Sequence, residues 1–110
     1  MKGSLRKFYL EENKLYKGKQ LYEWLIETAK SLGLRGVTVN SGVESFDRQG
    51  HLHSAHFFEL ADRPIQLEFV LDTEQEILLF SSISQENISL FYTKTAIEFG
   101  SVGNKENNNV

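Results

Sequence analysis

Apolar and polar residues change period along this chain, and the changes mark its elements. Leu5 to Leu10 is a short apolar and aromatic run that stops at the turn-like Glu11-Glu12-Asn13 and reads as a strand. From Lys19 onward Leu21, Leu25, Ala29 and Leu32 recur at helical spacing, Tyr22 and Ile26 widen the stripe, and Gly33 stands where a helix ends in a left-handed residue. Gly36 to Val43 carries Val37, Val39 and Val43, and Ile65 to Leu71 alternates Ile65, Leu67, Phe69 and Leu71 with Gln66, Glu68 and Val70; both predict strands. Thr73-Glu74-Gln75-Glu76 has the spacing of a capping box, with Thr73 as cap and Glu76 reaching back. The helix it opens carries Ile77, Leu78, Phe80 and Ile83 to about Ser84. In the last run, Ile88 to Phe99, the residues Ile88, Leu90 and Tyr92 share one strand phase and Ile97 and Phe99 the other, which predicts a bulge or a change of packing partner near Thr93.

The resulting order is strand, helix, strand, long connection, strand, helix, strand. That is an α+β, ferredoxin-like βαββαβ arrangement, with two helices on one face of an antiparallel sheet. Residues 4 to 99 fill one domain. Gly103 to Asn109 has no apolar residue, so the polar tail, 100 to 110, is expected to be disordered. A domain this small buries little surface alone, and apolar residues on the uncovered sheet face, expected to include Phe8, Phe69, Leu90 and Tyr92, predict a homo-oligomer.

Composition narrows the class. A net charge of -3 with interspersed signs argues against nucleic acid, which calls for clustered Lys and Arg. Cysteine is absent, and with it disulfides and thiol chemistry; no apolar run reaches membrane-spanning length, and the first residues lack a secretory core. A cytoplasmic protein without membrane insertion is the expectation.

Chemistry concentrates in one place. The chain's three histidines, His51, His53 and His56, lie in the connection from Glu44 to Arg63, a length that in a small domain goes with function or mobility. Ala55 to Leu60 is apolar enough for an extra strand or for lying on the sheet. His51 and His53 share one side of an extended segment, and His56 can join them through a turn or from another subunit, a set suited to a divalent metal though no carboxylate or thiol completes a familiar motif. Other candidates read as structure. Gly33-Leu34-Arg35-Gly36 lacks the lysine and hydroxyl of a phosphate loop. Glu11-Glu12 and the Glu74, Glu76 pair lie at a turn and a helix start, Trp24 sits among apolar helix neighbours, and no serine stands in a nucleophile turn with a base. An enzyme is not indicated.

Five segments carry a resemblance. Leu5-Arg6-Lys7-Phe8-Tyr9-Leu10, Gly18-Lys19-Gln20-Leu21-Tyr22-Glu23, Gly36-Val37-Thr38-Val39, Leu52-His53-Ser54 and Pro64-Ile65-Gln66-Leu67-Glu68 resemble, in order and spacing, the PII-like proteins grouped as domain-of-unknown-function 190. The resemblance implies a homotrimer of ferredoxin-like subunits, a mobile loop between the second and third principal strands, and a small-molecule effector, such as an adenine nucleotide, bound between subunits. His53 matches the family's Ile-His-Thr position. On this reading Gly42, Glu44, Phe46 and His53 hold the effector, Pro64 shapes the return to the sheet, and the loop meets a target protein. The chain also departs from the pattern: it has Ser41-Gly42 for Arg-Gly, Ser45-Phe46-Asp47 for Gly-Phe-Gly, and no cation from Ser84 to Ser89. These changes remove a phosphate-matching cation and two permissive glycines. The CutA proteins, metal-binding trimers of the same fold, give the alternative, using His51, His53 and His56.

Overall fold

The computed structural model describes residues 1–34, 36–41, 44–46, 52–54 and 63–103. Strand β1 (Lys2–Glu11) is followed by a small hairpin, β2 (Leu15–Tyr16) and β3 (Lys19–Gln20), and by helix α1 (Leu21–Ser31). Then come β4 (Thr38–Ser41), a second small hairpin of β5 (Glu44–Phe46) and β6 (Leu52–Ser54), β7 (Pro64–Asp72), α2 (Thr73–Ser84) and β8 (Phe91–Glu98). Four strands form an antiparallel sheet in the order β4-β7-β1-β8, with β1 paired to β7 from Gly3↔Asp72 to Glu11↔Pro64 and to β8 from Lys2↔Glu98 to Tyr9↔Phe91. Setting the two small hairpins aside, this is the expected ferredoxin-like order.

Period-two alternation decides which side chains meet the helices. Ser4, Arg6, Phe8 and Leu10 of β1 and Ile65, Leu67, Phe69 and Leu71 of β7 are all buried, against Leu21, Leu25 and Ala29 of α1 and Leu79 of α2. Phe8 and Phe69 meet edge to face at 5.8 Å. The expectation that Phe8, Phe69, Leu90 and Tyr92 lie on the uncovered face is therefore corrected. Phe8 and Phe69 are core, Leu90 packs against the core, and the Tyr92 ring lies 6.0 Å from Phe8 and 5.2 Å from Phe80 of α2, on the helix side. The uncovered face instead carries cross-strand rows, Thr38–Glu68–Lys7–Thr93 and Asn40–Gln66–Tyr9–Phe91, with Val70 and Leu5 beside them. It is mixed, because the wholly apolar phase of β7, Ile65, Leu67, Phe69 and Leu71, goes to the helices, and β1 follows with Phe8 and Leu10 on that side.

Element ends differ from the expected ones for local reasons. The cap of α2 is Asp72, one residue earlier than Thr73: its carboxylate accepts from the Gln75 amide at 2.8 Å, and the Gln75 side chain accepts from the Asp72 amide at 2.9 Å. That leaves Glu76 free to turn toward the sheet. Asp72→Ala is expected to cost about 1 kcal/mol in urea unfolding, the usual worth of a cap. The register of β8 on β1 is continuous, so there is no bulge at Thr93; Tyr92 and Ile97 differ in phase because they occupy opposite faces. Ile88 and Leu90 precede the strand. The end of α1 is as expected, with Gly33 at φ 81° and the amides of Gly33 and Leu34 returning to the carbonyls of Lys30 and Ala29. The unforeseen β2–β3 hairpin turns through Lys17 and Gly18, both left-handed at φ 53° and 82°.

Candidate functional site

The strand chosen by β4 as its partner creates a cleft. Thr38 pairs with Glu68 across β4 and β7, which puts both on the uncovered face together with Val70 two residues on. The turn from α1 brings Gly36 and Val37 alongside, and these five residues line an open cleft of about 350 Å³. Its chemistry is mixed. Val37 and Val70 give apolar walls, the Thr38 hydroxyl can donate or accept, and the Glu68 carboxylate accepts from Asn40 Nδ2 at 3.1 Å with Lys7 Nζ 3.9 Å away. A compact, partly apolar ligand with donor groups fits such a lining, and the volume lies in the range of small-molecule sites. Val70 is 47% exposed, an apolar side chain left uncovered where its strand neighbours Phe69 and Leu71 are buried.

The residues expected to bind the effector fall around the connection this cleft adjoins. Glu44 and Phe46 are in β5 and His53 in β6, where His53 pairs with Ser45 across the small hairpin. Pro64 is buried at the start of β7, opposite Glu11. Gly42, His51 and His56 lie outside the described residues, as do Ala55 to Leu60 with their expected extra strand and the last residues of the tail. Among the described residues no cluster of His, Cys, Asp or Glu is arranged as a metal site. Sequence reasoning missed the cleft's own five residues. Gly36, Val37, Thr38 and Glu68 were visible within recognised motifs, but what joins them is the β4–β7 register.

A second polar cluster lies on the helix side. One Glu76 oxygen accepts from Ser4 Oγ at 2.6 Å and from Arg6 Nε and Nη2 at 2.8 and 2.5 Å, and Lys94 Nζ stands 3.9 Å away. The guanidinium is stacked 4.3 Å from the Phe80 ring and 4.8 Å from Tyr92. Glu86, after α2, accepts from the Tyr16 hydroxyl and from Lys17 Nζ at 3.3 Å, fixing the β2–β3 hairpin to the end of that helix. The Ser4 hydrogen bond, with Arg6, holds Glu76 below the ordinary carboxylate value, and the Tyr16 hydrogen bond, with Lys17, does the same for Glu86. A carboxylate whose folded value is depressed binds fewer protons than the unfolded chain, so its stabilisation is present above the ordinary value of 4.5 and is lost as pH falls through the folded value. Stability measured by urea unfolding is expected to decline on acidification through that window, with a shallower slope in Glu76→Gln. Equal slopes in the two proteins would show that Glu76 does not carry the effect.

Comparison with known proteins agrees with this architecture. The family described as "Uncharacterized ACR", domain-of-unknown-function 190, matches residues 4–89. The "UPF0166 protein" of Aquifex aeolicus is 28% identical over 81 residues, 73% of this chain and 76% of its own. Among solved structures, a protein from Thermus thermophilus described as PII-like superposes with a TM-score of 0.63 at 16% identity, over 88% of both chains. CPII from Thiomonas intermedia, solved bound to ADP and bicarbonate, does so with 0.65 at 16%, over 92% of this chain and 91% of that one. A second CPII structure, bound to ADP, AMP and bicarbonate, gives 0.61 at 13% identity, over 88% and 89%. Identities this low speak for the fold alone. Among the described residues no helix is long and apolar enough to cross a membrane. The family match covers most of a chain that folds as a PII-like ferredoxin sheet, and the chain belongs to the domain-of-unknown-function 190 family.

Proposed function

We propose that the protein is a PII-like regulatory protein, not an enzyme, that binds an adenine nucleotide at the cleft of Gly36, Val37, Thr38, Glu68 and Val70. One observation carries this reading. The cleft is built from the two strands that enter and leave the long connection, since β4 supplies Thr38 and β7 supplies Glu68 and Val70. A ligand there holds both roots of the connection at once, so binding favours one arrangement of the segment between them, which can then be read by a target protein. Gly42, Glu44, Phe46 and His53 are the loop-side contacts in this scheme, and Pro64 fixes the return. The adenine ligands of the CPII structures support the choice of nucleotide.

The acting form in this reading is a cytoplasmic homotrimer. The outer edges of β4 and β8 have no strand partner among the described residues, and Phe91 and Tyr92 at the β8 edge are 52% and 43% exposed. Light scattering is expected to give a trimer mass, and a monomer at micromolar concentration would remove a site shared between subunits.

Calorimetric titration with ATP, ADP, AMP, cyclic nucleotides and zinc tests the binding reading. Adenine ligands are expected to bind, and Val70→Asp to weaken them at least tenfold with an unchanged melting curve, because Val70 is exposed. His53→Ala is expected to cost roughly 1 to 3 kcal/mol of that affinity, the range for losing a buried or charged hydrogen bond. Zinc binding without any nucleotide binding would overturn the assignment.

A further inference from the structure

We infer that the outward face of helix α2 is a self-docking surface, on which α2 of a second copy of this chain packs antiparallel about a two-fold axis. The inference goes beyond the nucleotide reading and needs no ligand in the cleft.

The two helices of the layer present different faces to solvent. On α1 the buried residues Leu21, Leu25 and Ala29 leave Glu23, Glu27 and Lys30 exposed, the charged outer face usual for a helix lying on a sheet. On α2, Leu79 is buried and Phe80 and Ile83 pack against the core, yet Ile77 and Leu78 on the other side are 61% and 46% exposed. They belong to a continuous outer stripe, Glu74, Ile77, Leu78, Ser81, Ser84 and Gln85, whose members follow helical spacing and are all exposed. Gln85 keeps a helical backbone at φ -78° and ψ -11°, so it prolongs the stripe.

The stripe is bulky in its first half and small in its second. A two-fold axis near its middle lays Ile77 and Leu78 of each copy on Ser81 of the other, where the serine leaves room for the apolar side chains and for close approach of the helices. The same axis places Glu74 of each copy beside Ser84 and Gln85 of the other. Neither the Glu74 nor the Gln85 side chain has a partner among the described residues, and the Gln85 amide is a donor suited to a carboxylate. Parallel packing would instead set Glu74 against Glu74 and bulk against bulk. Shape and charge thus select one arrangement, and a copy of the same helix satisfies it. A face whose single charge is Glu74 is also repelled by an anionic lipid surface.

Six side chains per copy fall well short of the roughly 20 to 30 residues of a standard interface, so the contact is weak by itself and forms in proportion to concentration. It leaves the edges of β4 and β8 open. A trimer assembled through those edges would carry three copies of the surface, and several weak contacts between trimers reinforce one another.

Light scattering of the full chain from micromolar to near-millimolar concentration reads the contact. The native mass is expected to keep rising past the trimer. Leu78→Lys is expected to weaken this self-association at least tenfold with an unchanged melting curve, because Leu78 is 46% exposed. Gln85→Lys, which gives each Glu74 a cation across the axis, is expected to strengthen it at least threefold at low salt. Orientation is read separately: the chain has no cysteine, so Glu74→Cys and Gln85→Cys proteins can be mixed and oxidised without background. Positions 74 and 85 lie roughly 16 Å apart along a helix, so antiparallel packing yields mainly the mixed 74–85 disulfide and parallel packing mainly the 74–74 and 85–85 products. A native mass that stays constant or levels off at the trimer, or the same concentration dependence in Leu78→Lys, overturns the surface. A predominance of same-site disulfides overturns the antiparallel arrangement.

Discussion

Glu76→Ala is expected to cost about 3 kcal/mol of folding stability, below the middle of the range for breaking a buried pair because Glu76 keeps some exposure. Arg6 is 9% exposed and Glu76 19%. With the carboxylate gone, Arg6 Nε and Nη2 lose their acceptor, and Nη1 has no partner even in the intact protein. The guanidinium cannot easily swing into water, since its stem starts from a central strand and its plane is held by Phe80 and Tyr92. A charge left buried without its counter-ion is what makes such substitutions expensive. The check is the urea midpoint together with the melting temperature, which is expected to fall by roughly 12 to 20 °C for a domain of this size. The double replacement Arg6→Leu with Glu76→Leu should recover most of the loss, because it removes both charges and keeps the volume filled. A single-mutant loss below about 1 kcal/mol would place the cluster among ordinary surface ion pairs.

Gly3→Ala is expected to lose about 3 kcal/mol, at the upper end of the cost of overpacking. A Cβ at residue 3 would stand 2.0 Å from the Leu71 carbonyl oxygen and 2.9 Å from both the Leu71 carbonyl carbon and Phe99 Cε1. The Phe99 ring can give way, but the Leu71 carbonyl belongs to the strand paired with β1 and cannot move without loosening the central ladder. Gly3 has no positive φ, so the cost is steric and not conformational. Gly100→Ala supplies the control: nothing lies within 4 Å of its added Cβ, and its effect is expected to stay within about 0.5 kcal/mol. Equal melting temperatures for the two variants would contradict the close approach at Gly3.

Sequence reasoning reached the strands and helices where one period ran undisturbed. Leu21, Leu25 and Ala29 mark the buried side of α1, and Ile65, Leu67, Phe69 and Leu71 that of β7, because every member of each series is core. It went astray where a pattern admits two faces. Alternation separates Phe8 from Tyr9 and Phe69 from Val70 but does not say which set the helices cover; the answer lies in the total apolar content of each phase, which favours the Phe8 and Phe69 set. The capping shift had a similar cause. Asp72 and Thr73 both suit a cap, and Asp72 is selected because β7 continues through it. The cleft was illegible for a different reason. Thr38 and Glu68 are thirty positions apart, and only the register of a four-residue edge strand makes them neighbours.

The join between β7 and α2 has a mechanical consequence. The strand ends at Asp72 and the helix begins at Thr73, with no residue between them, and the Asp72 side chain locks the first turn to the strand. Such a joint has no slack. Glu68 and Val70 line the cleft a few residues before it, so a displacement of β7 there is expected to reach the first turn of α2, where a loop would absorb it. Strand and helix behave as the two arms of a crank, and the natural place to watch occupancy of the cleft is the amide exchange of Gln75 and Glu76, on the far side of the sheet.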